Sequence, residues 1–287
     1  MTGRPIAFDV YESEPYSWTM AHRAAHQGLA EYVSGYTGYV ERSVLPLSRR
    51  EVAKPSVVLI ISFGEPIDVR LSSDRQPARH TSFVAGLHDG FAVTEHTGRQ
   101  RGIQVDLTPL GAFRLLGVPP SEFAHQVVQI DALSSRLAGL ADPLASAPDW
   151  PARFDLLDHE LLRWATEGPE EDPAVAWAWR QLCDADGRMT VGVLADEIGW
   201  SRRHFVSRFR HYVGLPPKSA GRILRFERAV QLLGADRAPN ISAVAAACGF
   251  ADHSHLVRDF HDLAGCTPTA LLGAQLPDGG GFAGGTG

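Results

Sequence analysis

Cysteine is scarce in this chain. Cys183, Cys248 and Cys266 are the only three in 287 residues, and no two of them form a CxxC pair. An odd, sparse set of thiols suits neither a disulfide framework nor a structural zinc site, and it fits a reducing compartment. Long apolar runs are also missing: nothing approaches the roughly 20 residues that span a bilayer. The opening Met1-Thr2-Gly3-Arg4-Pro5 lacks the positive-then-apolar layout of a secretory signal. The expectation is a cytoplasmic protein with no membrane partner. There is no phosphate-cradling glycine loop, no GxSxG elbow and no HExxH pair. No catalytic residue, metal ligand or cofactor is therefore expected, and the chain is not read as an enzyme.

The rest of the composition is that of an ordinary globular protein, 44% hydrophobic and 21% charged. Its formal net charge of −6 does not suggest a polyanionic partner, but phosphate contacts act over about one Debye length, so the distribution of charge matters more than the total. The densest basic stretch, Ser201 to His211, carries Arg202, Arg203, Arg208 and Arg210 and no acid.

The expected fold class is α+β. Up to about residue 108 the chain reads as strands and turns: Ser56–Phe63, Phe83–Leu87, Phe91–Thr94 and Gly102–Leu107 are short β-branched or alternating runs separated by glycine. Their spacing suggests a small antiparallel barrel or sandwich, with Ala21–Tyr32 open to a helical reading. At Thr108-Pro109 the period changes. Pro109 suits a first helical position and Gly117 a C-terminal cap. Further helices are expected over Ser121–Val128, Asp131–Leu140 and Pro151–Thr166. The last has Phe154, Leu157, Leu161 and Trp164 on one stripe, fit either to pack on the β unit or to form a dimer contact. Residues 1–167 would make one domain for sensing or dimerisation. Gly168-Pro169-Glu170-Glu171-Asp172-Pro173 reads as an extended, solvated linker over 168–173. An all-α domain would follow over 174–276, and the glycine-rich 277–287 is expected to be disordered.

Within 174–276 the chain repeats itself at about fifty residues. Leu194-Ala195, Gly199, Phe205, Phe209, Gly214 and Pro217 are matched by Val244-Ala245, Gly249, Leu256, Phe260, Gly265 and Pro268. Only the turn after the first glycine differs, by one residue. Each unit meets the requirements of a helix-turn-helix. Ala195 and Ala245 are small where two helices cross closely. Gly199 and Gly249 can take the left-handed conformation that ends the first helix. Ser201 and Asp252 can cap the second. Phe205 with Phe209, and Leu256 with Phe260, anchor that second helix in the core. The outward residues are then Arg202, Arg203, Val206, Ser207 and Arg210 in the first unit, and His253, Ser254, Val257, Arg258 and His261 in the second. A helix so equipped can enter a major groove. Lys218–Leu233, with Ile223, Phe226, Val230 and Leu233 facing inward, would join the units. Its Arg225 and Arg228 read as partners in structural ion pairs with Glu227 or an acid of the first unit. His255 is read either as a brace for its helix or as a base contact.

The stretches Gly199-Trp200-Ser201-Arg202-Arg203-His204-Phe205-Val206-Ser207-Arg208-Phe209, Gly249-Phe250-Ala251-Asp252-His253-Ser254-His255-Leu256-Val257-Arg258-Asp259-Phe260 and Gly265-Cys266-Thr267-Pro268 closely resemble the AraC/XylS family of bacterial regulators. The resemblance covers about the last hundred residues. It implies two helix-turn-helix subdomains on a connecting helix, a promoter DNA partner, RNA polymerase as a further partner of an activator, and a variable N-terminal domain for effector sensing or homodimerisation. By position, Arg203, Val206 and Ser207 match base-reading sites of the first recognition helix, and His253, Ser254 and Arg258 those of the second. Ser207 stands where the family often has arginine, with Arg208 next to it. Val105–Pro119 is similar to the cupin-like sensor regions attached to many such regulators. His80, His88 and His96 lack the closely paired histidines and following glutamate of a cupin metal site, and read as polar or pocket residues. A sensor domain that instead docks a protein and takes no metabolite is the alternative.

Overall fold

The computed structural model describes residues 4–235, 239–276 and 282–284. These residues hold twelve strands, nearly all in the N-terminal part: β1 Ala7–Ser13, β2 Tyr16–Arg23, β3 Val33–Ser43, β4 Leu47–Glu51, β5 Val57–Ser62, β6 Ile67–Leu71, β7 Ala78–His80, β8 Phe83–Ala85, β9 Ala92–His96, β10 Arg99–Leu107, β11 Val127–Gln129 and β12 Phe282–Ala283. They form two antiparallel sheets, one of seven strands in the order β1-β2-β3-β10-β5-β8-β11 and one of five in the order β12-β4-β9-β6-β7. Of the two forms expected, the sandwich is found; among the described residues the strands do not close into a barrel.

Strand alternation divides the side chains of the large sheet between two cores. Leu59, Ile61, Val84, Ile103, Val105 and Leu107 face one way into the main core. Val58, Ile60, Phe83, Gln100, Gln104 and Asp106 face the other way, toward the five-stranded sheet, where they line a cavity. Helices cover the first face: α1 Pro109–Leu116, α2 Ile130–Leu133, α3 Ser135–Ala138, α4 Ala141–Ser146 and α5 Trp150–Glu167. α1 starts at Pro109 and ends at Gly117, with φ 73°, as the sequence indicates; Thr108 Oγ1 caps it by accepting from the Gly111 N–H at 2.9 Å. The apolar stripe of α5 lies inside this core, with Phe154, Leu157, Leu161 and Trp164 all at most 1% exposed. It packs on the sheet and offers no dimer contact. The buried carboxylate of Asp158 fixes α5 to the strands, accepting from Arg23 Nη2 at 2.5 Å, from Tyr36 Oη at 3.0 Å and from the His26 N–H at 2.7 Å.

Several local expectations give way. Ala21–Tyr32 is not a helix: it completes β2 and then forms a single 3-10 turn at Gln27–Leu29. Ser121–Val128 is a 3-10 turn at Pro120–Glu122 followed by β11, because Val127–Gln129 finds a strand partner in β8. Asp131–Leu140 splits into α2 and α3 at Ser134, whose backbone is extended. The acidic stretch 168–173 is not free chain. Arg114 Nη1 donates to the Pro169 carbonyl at 3.2 Å, and Asp172 caps the next helix through the Ala174 N–H at 3.0 Å. Most of 277–287 lies outside the described residues. Within it, Phe282–Ala283 departs from the expected disorder by pairing with Arg49–Arg50 of β4.

Candidate nucleic-acid interface

After α6 Pro173–Asp184 the chain forms α7 Val191–Ile198, α8 Arg202–Val213, α9 Pro217–Leu233, α10 Ile241–Ala247, α11 His253–Ala264 and α12 Pro268–Gly273. The two halves of the repeat are built alike. Thr190 caps α7 through the Val193 N–H at 3.3 Å, and Asn240 caps α10 through the Ala243 N–H at 2.9 Å. The first helix of each unit ends at a left-handed glycine, Gly199 with φ 77° and Gly249 with φ 74°. The next N–H then turns back: Trp200 donates to the Ala195 carbonyl and Phe250 to the Ala245 carbonyl, both at 2.9 Å. The second helix is capped by Ser201 through the His204 N–H at 3.3 Å, and by Asp252 through the His255 N–H at 2.7 Å.

Burial separates the two faces of α8 and α11. Ala195, Phe205, Phe209, Ala245, Leu256 and Phe260 are at most 2% exposed. Each of the large ones contributes about 1.5–3 kcal/mol by leaving water. Phe209 lies 6.3 Å from the Trp179 ring of α6, and Phe260 lies 4.8 Å from Phe226 of α9. On the other face, Arg202, Arg203, Ser207 and Arg210 are exposed and Val206 is half-buried; on α11, His253, Ser254 and Arg258 are exposed. Arg202, Arg203, His253 and Ser254 lie in the first turns, where unpaired N–H groups and the helix dipole favour an anion, while Arg210 lies in the last turn of α8.

Three residues sit apart from that exposed set. Arg208 is half-buried and engaged within the chain, donating to Asp172 Oδ2 at 2.8 Å and to Tyr212 Oη at 3.1 Å. Its partner carboxyl is held below the usual range: burial alone would raise it, and the hydrogen bond from Arg208 overrides this together with other contacts. His255 is half-buried, its ring edge-on to Phe250 at 5.5 Å and its Nε2 4.0 Å from Asp259 Oδ1. Asp259 itself is 3% exposed and accepts from Arg222 Nε at 2.8 Å, while Arg222 also pairs with Asp262. Spacing carries no signal for this buried acid, because an aspartate four residues after a histidine on a polar-looking helix reads as solvated.

α9 ties the two units together. Arg225 Nη1 donates to the Gly187 carbonyl at 2.7 Å and its guanidinium lies over the Phe250 ring at 5.9 Å. It thus links both units through a carbonyl and a ring, and among the described residues the ion pair expected of it is not formed. Arg228 reaches toward Asp186 at 3.9 Å.

The strands and first helices hold the far ends of both α8 and α11. At the end of α8, Tyr212 packs edge-on against Phe113 of α1 at 4.9 Å. At the end of α11, the Leu263 carbonyl accepts from the Ala53 N–H at 3.0 Å, and the Ala264 carbonyl from Arg50 Nη1 at 2.7 Å. Arg50 also stacks on Phe91 at 5.3 Å. These contacts bridge more than two hundred positions of chain in the case of Arg50 and Ala264. No periodicity could have announced them.

The cavity between the two sheets has a volume of about 350 Å³. Its apolar wall includes Ile60, Ile67, Val69, Leu71, Phe83 and Ala92, and its polar end Tyr39, Glu41, Arg49, His96 and Gln100. His88 also lines it, with Nδ1 3.2 Å from the Gly86 carbonyl, whereas His80 packs on Phe83 at 5.5 Å. Burial lowers both of these histidines. Among the described residues no three acids, histidines or cysteines are grouped as a metal site would need. No helix among them is long and apolar enough to cross a membrane.

Two family models match the chain: "Helix-turn-helix domain" over residues 194–274 and "Domain of unknown function (DUF6597)" over residues 21–129. No curated protein matches. Among solved structures, the DNA-binding domain of AdpA, the global transcriptional factor, in complex with a target DNA, is 31% identical; the match covers 36% of this chain and 88% of that one, with a TM-score of 0.30. An apo single-residue variant of ToxT from Vibrio cholerae is 11% identical over 87% of this chain and 98% of that one, with a TM-score of 0.50, a likeness of fold. The AraC-like transcriptional activator CuxR is 12% identical over 78% of this chain and 86% of that one, with a TM-score of 0.32.

Proposed function

This chain belongs, through its tandem helix-turn-helix region, to the AraC/XylS family of DNA-binding transcription regulators, and on that premise we propose that it binds promoter DNA with α8 and α11 and answers to a small molecule held by its β sandwich. The observation that carries the first part is the repeat itself: two capped helices, each with one face buried and the other lined by Arg203, Val206 and Ser207 or by His253, Ser254 and Arg258. Arg202 and Arg210 are assigned to phosphate, and His255 to bracing α11. The protein works in the cytoplasm as a regulator, without catalysis of its own.

The second part rests on the cavity between the sheets and on the contacts at the ends of α8 and α11. Because both recognition helices lean on the N-terminal half, a shift there changes their relative setting. A homodimer would add affinity at paired sites, since linked binding gains about 10²–10⁴ in avidity, and an activator would recruit RNA polymerase. Footprinting on genomic fragments at rising salt tests the reading. A protected sequence is expected whose affinity falls linearly on a log–log salt plot; no protected sequence at moderate salt rejects it.

A further inference from the structure

Glu41 and Arg49 form an ion pair at the polar end of the cavity. Arg49 Nη1 donates to Glu41 Oε1 at 2.7 Å, and both side chains are largely buried, at 5% and 12% exposure. His96 completes the group: its Nδ1 accepts the Gly98 N–H at 3.1 Å, which leaves Nε2 as the protonated nitrogen, 3.3 Å from Glu41 Oε2. Burial would raise the Glu41 carboxyl, but the His96 ring and the Arg49 guanidinium beside it hold it below its usual range. The charges of this end therefore cancel internally.

Its hydrogen-bonding capacity is not used up. Among the described residues, Arg49 Nε and Nη2, Glu41 Oε2, Tyr39 Oη and Gln100 Oε1 have no hydrogen-bond partner. Burying such groups unsatisfied is unfavourable, and it is the usual mark of a site completed by something else. The set holds donors and acceptors together, and Arg49 and Gln100 are long side chains that reach a bound group by rotating about staggered torsions. Behind them stands the wall of Ile60, Ile67, Val69, Leu71, Phe83 and Ala92, and the other charged residues of the lining, Glu51, Lys54 and Asp106, add one more acid than base.

We propose that the cavity takes a small uncharged molecule with an apolar body and a hydroxyl or carboxamide head, the head lying beside the closed Glu41–Arg49 pair, within reach of its free atoms and of Gln100. This rests on the reading of the sandwich as an effector domain. A head that both donates and accepts satisfies the two kinds of free group at once. A carboxylate would lie against Glu41 in a lining already rich in acids, and an ammonium against Arg49. Either brings an uncompensated charge into low dielectric.

Four probes of one skeleton test this by calorimetry on the full chain: cyclohexylmethanol, cyclohexanecarboxamide, cyclohexanecarboxylate and cyclohexylmethylammonium. The two neutral probes should bind at least about tenfold more tightly than either ion. A charged probe that binds as tightly as the alcohol, or a failure of all four to bind, overturns the proposal. Glu41→Gln should move the preference toward the carboxylate and Arg49→Gln toward the ammonium; an unchanged ranking in variants that keep the wild-type circular dichroism also overturns it. DNA affinity is measured separately with each probe bound. A neutral probe that binds with the expected ranking and leaves DNA affinity untouched supports the ligand class, and it is the effector reading that then fails.

Discussion

Arg49 and Arg50 are consecutive on β4 and serve opposite parts of the molecule. Arg49 Nη1 donates to Glu41 in the cavity, while Arg50 Nη1 donates to the carbonyl of Ala264 at the end of α11, both at 2.7 Å. The alternation of a strand does this without any special device. One strand thus touches the cavity on one side and a recognition helix on the other.

Arg50→Met should separate the two. The loss of its hydrogen bond to a helix-end carbonyl is expected to cost about 1 kcal/mol in urea unfolding. A molecule bound in the cavity should keep its wild-type affinity but change DNA affinity less than in the parent chain. Fluorescence anisotropy with and without ligand measures this, and an unaltered linkage would remove β4 from the route.

A pair of glycines isolates the same interface. Gly199 and Gly265 both end helices with positive φ, 77° and 68°. A Cβ on Gly199 meets nothing within 4 Å, whereas one on Gly265 would lie 2.5 Å from Arg50 Nη1 and 2.6 Å from the Phe91 ring. Gly199→Ala should therefore cost only the left-handed strain, roughly 1–2 kcal/mol. Gly265→Ala should cost more, and the excess should disappear in an Arg50→Ala, Phe91→Ala background. Equal costs in the parent chain would mean that the contact is not made in solution.

On DNA, Arg203→Ala and Arg258→Ala should each relax base preference in a different half of the footprint, by about 1–3 kcal/mol if the guanidinium holds a guanine. Selection from randomised sites reads the outcome directly. Uniform weakening on all sequences would assign both arginines to phosphate instead.

Asp259→Ala should destabilise the second unit although the residue lies on a recognition helix. Its carboxylate is buried and paired with Arg222, which keeps Asp262 as a second partner. The loss should be somewhat below the roughly 3–5 kcal/mol typical of breaking a buried pair. Urea unfolding followed by Trp fluorescence checks it, and a neutral result would show the pair to be dispensable.

Stability should fall on acidification, beginning below about pH 6.5. Burial lowers His88 and His80 in the folded chain, so the unfolded chain binds protons there that the folded one does not. The contribution is complete above the unfolded value and is lost as pH falls through the folded one. Glu41, lowered by His96 and Arg49 against its own burial, follows the same sign at lower pH. His88→Gln should flatten the first part of the curve in urea titrations between about pH 7 and 5; an unchanged slope would show that His88 does not contribute.

Residue type along the chain sets the local parts. The caps Thr108, Ser201 and Asp252, the left-handed Gly117, Gly199 and Gly249, and the buried Phe205, Phe209, Leu256 and Phe260 are each set by residue type within one or two turns of chain. That is why the repeat and its exposed faces could be read from spacing. β4 carries a weak pattern and finds its partner β9 some forty residues on, and β1 is exposed along nearly its whole length, so no alternation marks it although β2 follows at once. Packing between distant segments pairs Arg208 with Asp172, buries Asp259 against Arg222, brings Glu41, Arg49 and His96 into one cavity and carries Arg50 to Ala264. Ionisable groups carry no periodic signal; their partners are set by how sheets and helices stack, and burial of their charges is settled only when those partners arrive.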